Sequence, residues 1–148
     1  MRFYSLTALL THAPSGLYRL KGNPRNPRID ALCRLKGVRL FRVDTRGARS
    51  KRVFLSACAR TMSFPSWFGA NWDALADCLG DLEWAPAVAY LVLLQDVGCF
   101  AAESPLQFHR ALAVFEDAAR RWSRRGTPFR VLVAGDRDGG PLPVVAAA

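Results

Sequence analysis

The sequence predicts an α/β protein, a small parallel β-sheet of about three strands packed with helices. Two observations lead there. First, the continuous apolar run Ala87 to Leu94 has strand length, and a run apolar on both faces suits a strand covered by helices on each side. Second, the elements after residue 37 read strand, helix, helix, strand, helix, strand. Helical connections of that length return each strand parallel to the one before through a right-handed crossover.

Residues 1–36 are broken by Pro14, Gly16, Gly22, Pro24 and Pro27, which interrupt any long element. The segment is expected to be an N-terminal extension with a short strand at Gly16 to Leu20. Val38 to Val43 is rich in β-formers and ends at the turn Asp44 to Gly47. Ser50 is placed to cap a helix reaching about Met62. Asn71 caps a second helix expected to run to about Leu79 and stop at Gly80. After the Ala87–Leu94 strand the period changes. Phe108, Leu112, Phe115, Ala119 and Trp122 recur at +4, +3, +4 and +3, the stripe of an amphipathic helix. Arg120, Arg121, Arg124 and Arg125 suit the C-terminal end of that helix electrostatically. Gly126 ends it, and Phe129 to Val133 forms the last strand. The domain reading is an extension over 1–36, one domain over 37–135, and a poorly ordered tail over 136–148.

The chain has 148 residues, 51% of them hydrophobic, enough for one substantial core. Its longest apolar run, Trp84 to Leu94, falls short of the roughly 20 residues that cross a bilayer. The N-terminus has one early Arg, a broken apolar stretch and no small-x-small site, a poor signal peptide. A cytoplasmic monomer without membrane contact is expected. Cys33, Cys58, Cys78 and Cys99 form no C-x-x-C pair, and His12 and His109 lie far from them. Free, mostly packed thiols in a reducing compartment follow, with no metal site and no cofactor.

The formal net charge is +9, but it is unevenly spread. Residues 1–60 carry 14 Lys and Arg against 2 Asp and Glu. Between Arg60 and Arg110 there is no Lys or Arg, while Asp73, Asp77, Asp81, Glu83, Asp96 and Glu103 supply six negative charges. An acidic window sits in a basic chain.

Within that window residues 64–79 read FPSWFGANWDALADCL. At about 100° per residue, Trp72, Leu75, Leu79 and Leu82 share one side of a helix. Asp73, Asp77 and Asp81 share the opposite side. A negative charge near a helix N-terminus is worth about 0.3–1 kcal/mol, which accounts for Asp73. Asp77 has no such reason, because Asp is a poor helix former and like charges at i,i+4 repel. Trp67 and Phe68, just before Gly69, put aromatics beside the carboxylates, a combination suited to recognition. Gly69 is expected to allow a backbone turn that other residues resist.

This segment closely resembles the signature of the barstar family, a Pro-x-aromatic-aromatic-Gly loop followed by an Asn-x-Asp-Ala-Leu-x-Asp-Cys-Leu helix. The resemblance covers roughly residues 37–135 and extends to Val114–Ala118. It implies a barstar-like fold and an inhibitor or immunity protein that plugs the active site of a bacterial ribonuclease or related toxin. On that resemblance Asp77 matches the aspartate that occupies a phosphate-binding site, and Asp73 its partner one turn earlier. Trp67 and Phe68 match the paired loop aromatics, Gly69 the loop glycine, and Asn71 the helix cap. Asp117 falls at a further interface acid, and Asp81 extends the same stripe. Two positions depart from the family's best-known member: Ala76 replaces a contacting tryptophan and Gly80 a contacting threonine. The basic remainder also departs, and it weakens long-range steering toward a cationic nuclease.

An alternative of another class is an RNA-binding or regulatory module using the basic flanks, Arg19 to Arg60 and the Arg-rich end of the long helix. No RNA-recognition motif accompanies them. An enzyme is not expected, since the aspartates have no nucleophile–base pair, metal cluster or phosphate loop beside them.

Overall fold

The computed structural model describes residues 3–136 and 141–146. Its strands are β1 (Phe3–Ser5), β2 (Gly16–Lys21), β3 (Arg39–Asp44), β4 (Tyr90–Gln95), β5 (Phe129–Val133) and β6 (Val144–Ala146). Its helices are α1 (Leu6–Thr11), α2 (Pro27–Lys36), α3 (Lys51–Thr61), α4 (Trp72–Asp81), α5 (Gly98–Glu103) and α6 (Pro105–Arg124). The strands form one sheet in the order β1-β6-β2-β5-β4-β3, with every pairing parallel.

All six residues of β4 are buried, and alternation sends their side chains into two cores. Tyr90, Val92 and Leu94 join Phe54 and Leu55 of α3, Leu75 and Leu79 of α4, and Phe115 of α6. Leu91 and Leu93 join Leu6, Leu9 and Leu10 of α1 and Ile29 and Cys33 of α2. Covering both faces explains why the strand reads as a continuous apolar run.

The parallel α/β architecture agrees with the sequence reading, but the sheet has six strands rather than about three. Residues 1–36, expected as an extension, supply β1, α1, β2 and α2. Their turn formers punctuate short elements instead of preventing them. Pro27 sits in the first turn of α2, where its missing N–H costs nothing, behind an Asn26 side chain that caps the Arg28 N–H. Buried Arg130 of β5 donates from Nε to the Ala13 carbonyl at 2.8 Å, and Ser15 Oγ accepts from the Phe129 N–H at 3.0 Å. These bonds tie the N-terminal segment to the sheet. In the tail, Val144 to Ala146 pair between β1 and β2, and the expected disorder at 137–140 and 147–148 lies outside the described residues. β1 and β6, three residues each, are too short to show a period.

Ser50 caps α3 as anticipated, accepting from the Val53 N–H at 3.4 Å, although Val53 itself is exposed. α5 had no counterpart in the sequence reading. α4 runs past Gly80 to Asp81 and ends on Leu82, whose φ is +49°. Among the described residues no helix is long and apolar enough to cross a membrane.

Candidate functional site

Asn71 starts α4. Its backbone is extended (φ −138°), and its side-chain oxygen accepts from the Ala74 N–H at 2.8 Å, satisfying one of the helix's unpaired donors. From there the apolar residues turn inward: Leu75, Cys78 and Leu79 are buried, as is Leu82 just beyond. Trp72 is half-buried against Phe54, its indole N–H donating to Gln107 Oε1 at 3.0 Å, with the Lys51 ammonium 5.6 Å from its ring centre.

A second set of contacts holds the same helix by its backbone. From α6, Arg121 donates to the Ala76 carbonyl at 2.8 Å and Trp122 to the Leu79 carbonyl at 2.7 Å. Arg125 donates to the Gly80 carbonyl at 2.6 Å. Two of the helix's last carbonyls, which have no partner within the helix, thus gain donors, and two cations meet its negative end. Gly80 makes room for this, because a Cβ there would lie 2.6 Å from an Arg121 guanidinium nitrogen. Gly80 is therefore not the stop signal expected from the sequence; it is the notch that admits Arg121. The Arg-rich end of α6 does place Arg121 and Arg124 in its own last turn, and Arg121 and Arg125 serve α4 as well. The one sequence signal for this pairing was a glycine inside a helical pattern.

The outer side of α4 is bare. Asp73, Asp77 and Asp81 are exposed, and among the described residues none has an ion-pair partner within 4.0 Å. Their field reaches inward to Cys78, whose thiol is pushed up to about 11 by burial first and by Asp77 and Asp81 second. Cys33 and Cys58 are buried free thiols and Cys99 is an exposed one.

The preceding loop divides its two aromatics. Phe68 packs tilted on Phe64 with ring centres 5.0 Å apart, and Phe64 meets Trp84 edge-on at 6.2 Å. Trp67 is 56% exposed. Positive φ falls on Ser63 (+54°) and Ala70 (+52°) rather than on Gly69. Gly69 eases a close approach: a Cβ would sit 3.3 Å from the Asn71 side-chain nitrogen, which donates to the Gly69 carbonyl. The αL conformation at Ala70 stores about 1–2 kcal/mol of strain in the residue that aims Asn71.

Trp67, Gly69, Asn71, Asp73, Asp77 and Asp81 thus belong to one continuous loop-and-helix surface, with Phe68 as its inward anchor. Asp117 differs. It lies on α6 and pairs with Arg121 at 3.2 Å and Arg120 at 3.8 Å. Among the described residues, no group of three or more His, Cys, Asp or Glu side chains is placed to hold a metal ion.

The family model described as Barstar (barnase inhibitor) matches residues 38–134, the span from the start of β3 to the end of β5. No curated protein matches the chain. Among solved structures, the Aeropyrum pernix ORC2 protein in its ADPNP–ADP complexes superposes with a TM-score of 0.59 at 19% identity. The match covers 96% of this chain and 44% of the ORC2 chain, and the likeness is one of fold.

Proposed function

The chain belongs to the barstar family, and from that premise we propose that it is an inhibitor, an antitoxin or immunity protein that blocks a bacterial ribonuclease by binding alone. The supporting observation is the stripe of exposed, unpaired carboxylates on α4 in a chain with 21 Lys and Arg. A ribonuclease needs cationic groups to hold phosphate, and a fixed carboxylate engages the same groups through charge-assisted hydrogen bonds. Asp77 takes the phosphate position, with Asp73 beside it one turn earlier and Asp81 extending the stripe. Trp67 supplies the exposed aromatic anchor, while Phe68, Gly69 and Asn71 hold the loop and the helix start in register. Asp117 is a flanking contact.

The grip of α6 on α4 matters here because binding strength depends on preorganisation. A helix already fixed loses little freedom on docking. With Ala76 leaving the middle of the exposed face shallow, the partner is a ribonuclease shaped to that surface. The protein acts as a cytoplasmic monomer, without metal or cofactor. The nucleotides of the ORC2 complexes are not carried over, because the β2–α2 turn, Gly22 to Arg28, has no Gly-Lys-Ser/Thr phosphate loop.

The test is capture of proteins by immobilised wild type and by Asp77→Ala, with circular dichroism as the folding control. Wild type is expected to retain a ribonuclease and suppress its RNA cleavage, and the folded Asp77→Ala protein to lose both. Equal capture by both proteins overturns the assignment of Asp77, and a wild type that retains no ribonuclease overturns the function.

A further inference from the structure

The two edges of the sheet are unlike. β1 is three residues long, whereas β3 has six and pairs with β4 in unbroken register along all of them. Sheet edges are ordinarily blunted by shortness, proline, bulges or charged side chains; β3 is neither short nor broken by proline, and its edge is marked only by the charges of Arg39, Arg42 and Asp44. Its ladder parity is fixed at both ends: the Arg39 N–H donates to the Ala89 carbonyl and the Thr45 N–H to the Gln95 carbonyl. Residues 39, 41 and 43 therefore bond inward to β4, and the main-chain groups of Leu40 and Arg42 face the open side.

Beside that open ladder lies a groove between α2 and β3 of about 300 Å³. Cys33, Val38 and Leu40 line it with Arg34, Arg39, Arg42 and one acid, Asp30, whose charge is answered by Arg42. Arg42 is committed, donating to Asp30, to Gln95 and to the Pro24 carbonyl. Arg34, Lys36 and Arg39 are exposed and have no ion pair among the described residues. The exposed large aromatics, Phe3 and Trp67, lie on β1 and in the loop before α4. The β3 edge thus offers cations and free peptide groups without the stacking platforms that single-stranded nucleic acid uses.

We infer that the β3 edge is a second docking surface, which takes an acidic, extended peptide segment as a seventh strand. Leu40 and Arg42 supply its main-chain hydrogen bonds. Side chains of one parity enter the α2 face over Val38 and Leu40, within reach of Arg34 and Lys36 at the rim, and acidic side chains of the other parity meet Arg39 across the strand. A second copy of this chain fits poorly, because β3 against β3 sets these same cations against each other. The surface is independent of α4.

The probe is a capped synthetic peptide of alternating Glu and Val, with a Lys–Val counterpart and oligouridylate as comparisons, titrated into the full chain by NMR. The acidic peptide is expected to shift the amides of Leu40 and Arg42 and those along α2. Arg34→Glu with Arg39→Glu should weaken it at least tenfold. Leu40→Pro removes an outward N–H that no β4 carbonyl uses, so it should abolish binding; if that variant fails to fold, the charge-reversed pair decides. Asp77→Ala should bind the peptide as wild type does, which separates this surface from the ribonuclease reading. Oligouridylate binding at Leu40 and Arg42 in place of the acidic peptide overturns the inference. So does equal binding of the Lys–Val peptide, or an acidic-peptide affinity indifferent to Arg34 and Arg39.

Discussion

α4 and α6 pack side by side, and each turns carboxylates toward solvent, yet the two helices treat them oppositely. On α6, Glu116 pairs with Arg120 at 2.9 Å and Asp117 with Arg121 at 3.2 Å, the i,i+4 spacing worth about 0.2–0.5 kcal/mol per pair. On α4, Asp73, Asp77 and Asp81 stand at i,i+4 from one another with no cation between, a spacing that costs a similar amount per pair. Most acids elsewhere are also answered, Asp30 by Arg42, Asp96 by Arg25 and Arg46, and Glu103 by Arg49, while Asp44 and Glu83 stand singly without an ion pair among the described residues. The difference teaches that the bare stripe is not a general tolerance for unpaired charge. Among the described residues only α4 lines up several such carboxylates along one helix face, and the arginines nearest that helix bind its backbone.

The largest expected effect breaks or upholds that comparison directly. Replacing both Asp73 and Asp77 by Ala should weaken ribonuclease binding by at least about a thousandfold, since truncating one partner of a buried, hydrogen-bonded charge pair typically costs about 2–5 kcal/mol. Asp117→Ala should cost tenfold or less, because its charge is already shared with two arginines. Calorimetric titration of the captured ribonuclease measures both. If Asp117 proves as costly as Asp77, the contrast between paired and unpaired carboxylates carries no functional meaning.

The next effect concerns the grip behind the helix. Trp122→Phe leaves the Leu79 carbonyl without its donor and should destabilise the fold by about 1–3 kcal/mol, the penalty for an unsatisfied buried polar group. Urea unfolding reads this, with the slope of the transition unchanged. Gly80→Thr should act on the same contact by displacing Arg121, lowering stability and loosening ribonuclease binding together. Unchanged binding in a destabilised Trp122→Phe protein would mean that the grip supports the fold without preorganising the site.

What the sequence disclosed and concealed follows the same division. Asp73, Asp77, Leu75 and Leu79 were legible because helical period separates faces regardless of what packs behind. The β3–α3–α4–β4–α6–β5 order was legible because each element is long enough to show its period or its cap. β1 and β6 were not, since three residues carry no period and their place in the sheet depends on partners over a hundred residues away. Nor was the bonding of Arg121, Trp122 and Arg125 to α4. It joins positions 43 to 45 residues apart through backbone carbonyls, which leave no mark in side-chain pattern beyond the glycine that makes room.

A smaller effect tests the paired class by pH. The hydrogen bond from Arg42 holds the Asp30 carboxyl below its usual value, against an opposing push from burial. A carboxylate whose folded pKa is depressed contributes stability that is fully present above its unfolded value, about 3.9. That contribution is lost as pH falls through the folded one. Wild type should therefore lose part of its stability as pH falls below about 4, and Asp30→Asn should flatten that part of the acid limb. Thermal melts across pH 2 to 6 would read the change; an acid limb unaltered by Asp30→Asn would remove Asp30 from the account.

The smallest effect has the opposite sign, and that sign is its value. Asp77→Ala exchanges a poor helix former for the best one, about 0.5–0.7 kcal/mol, and removes two like-charge neighbours at i,i+4. No ion pair is lost, because Asp77 makes none among the described residues. The variant should be more stable than wild type by about 0.5–1.5 kcal/mol in urea unfolding at low salt, with the gain shrinking as salt screens the repulsion. Asp117→Ala should gain less or lose stability, since it gives up the pair with Arg121. A residue that destabilises the free protein and is nonetheless present fits selection for a partner rather than for the fold. If Asp77→Ala proves less stable than wild type, Asp77 has a structural task, and its exposure on α4 ceases to argue for recognition.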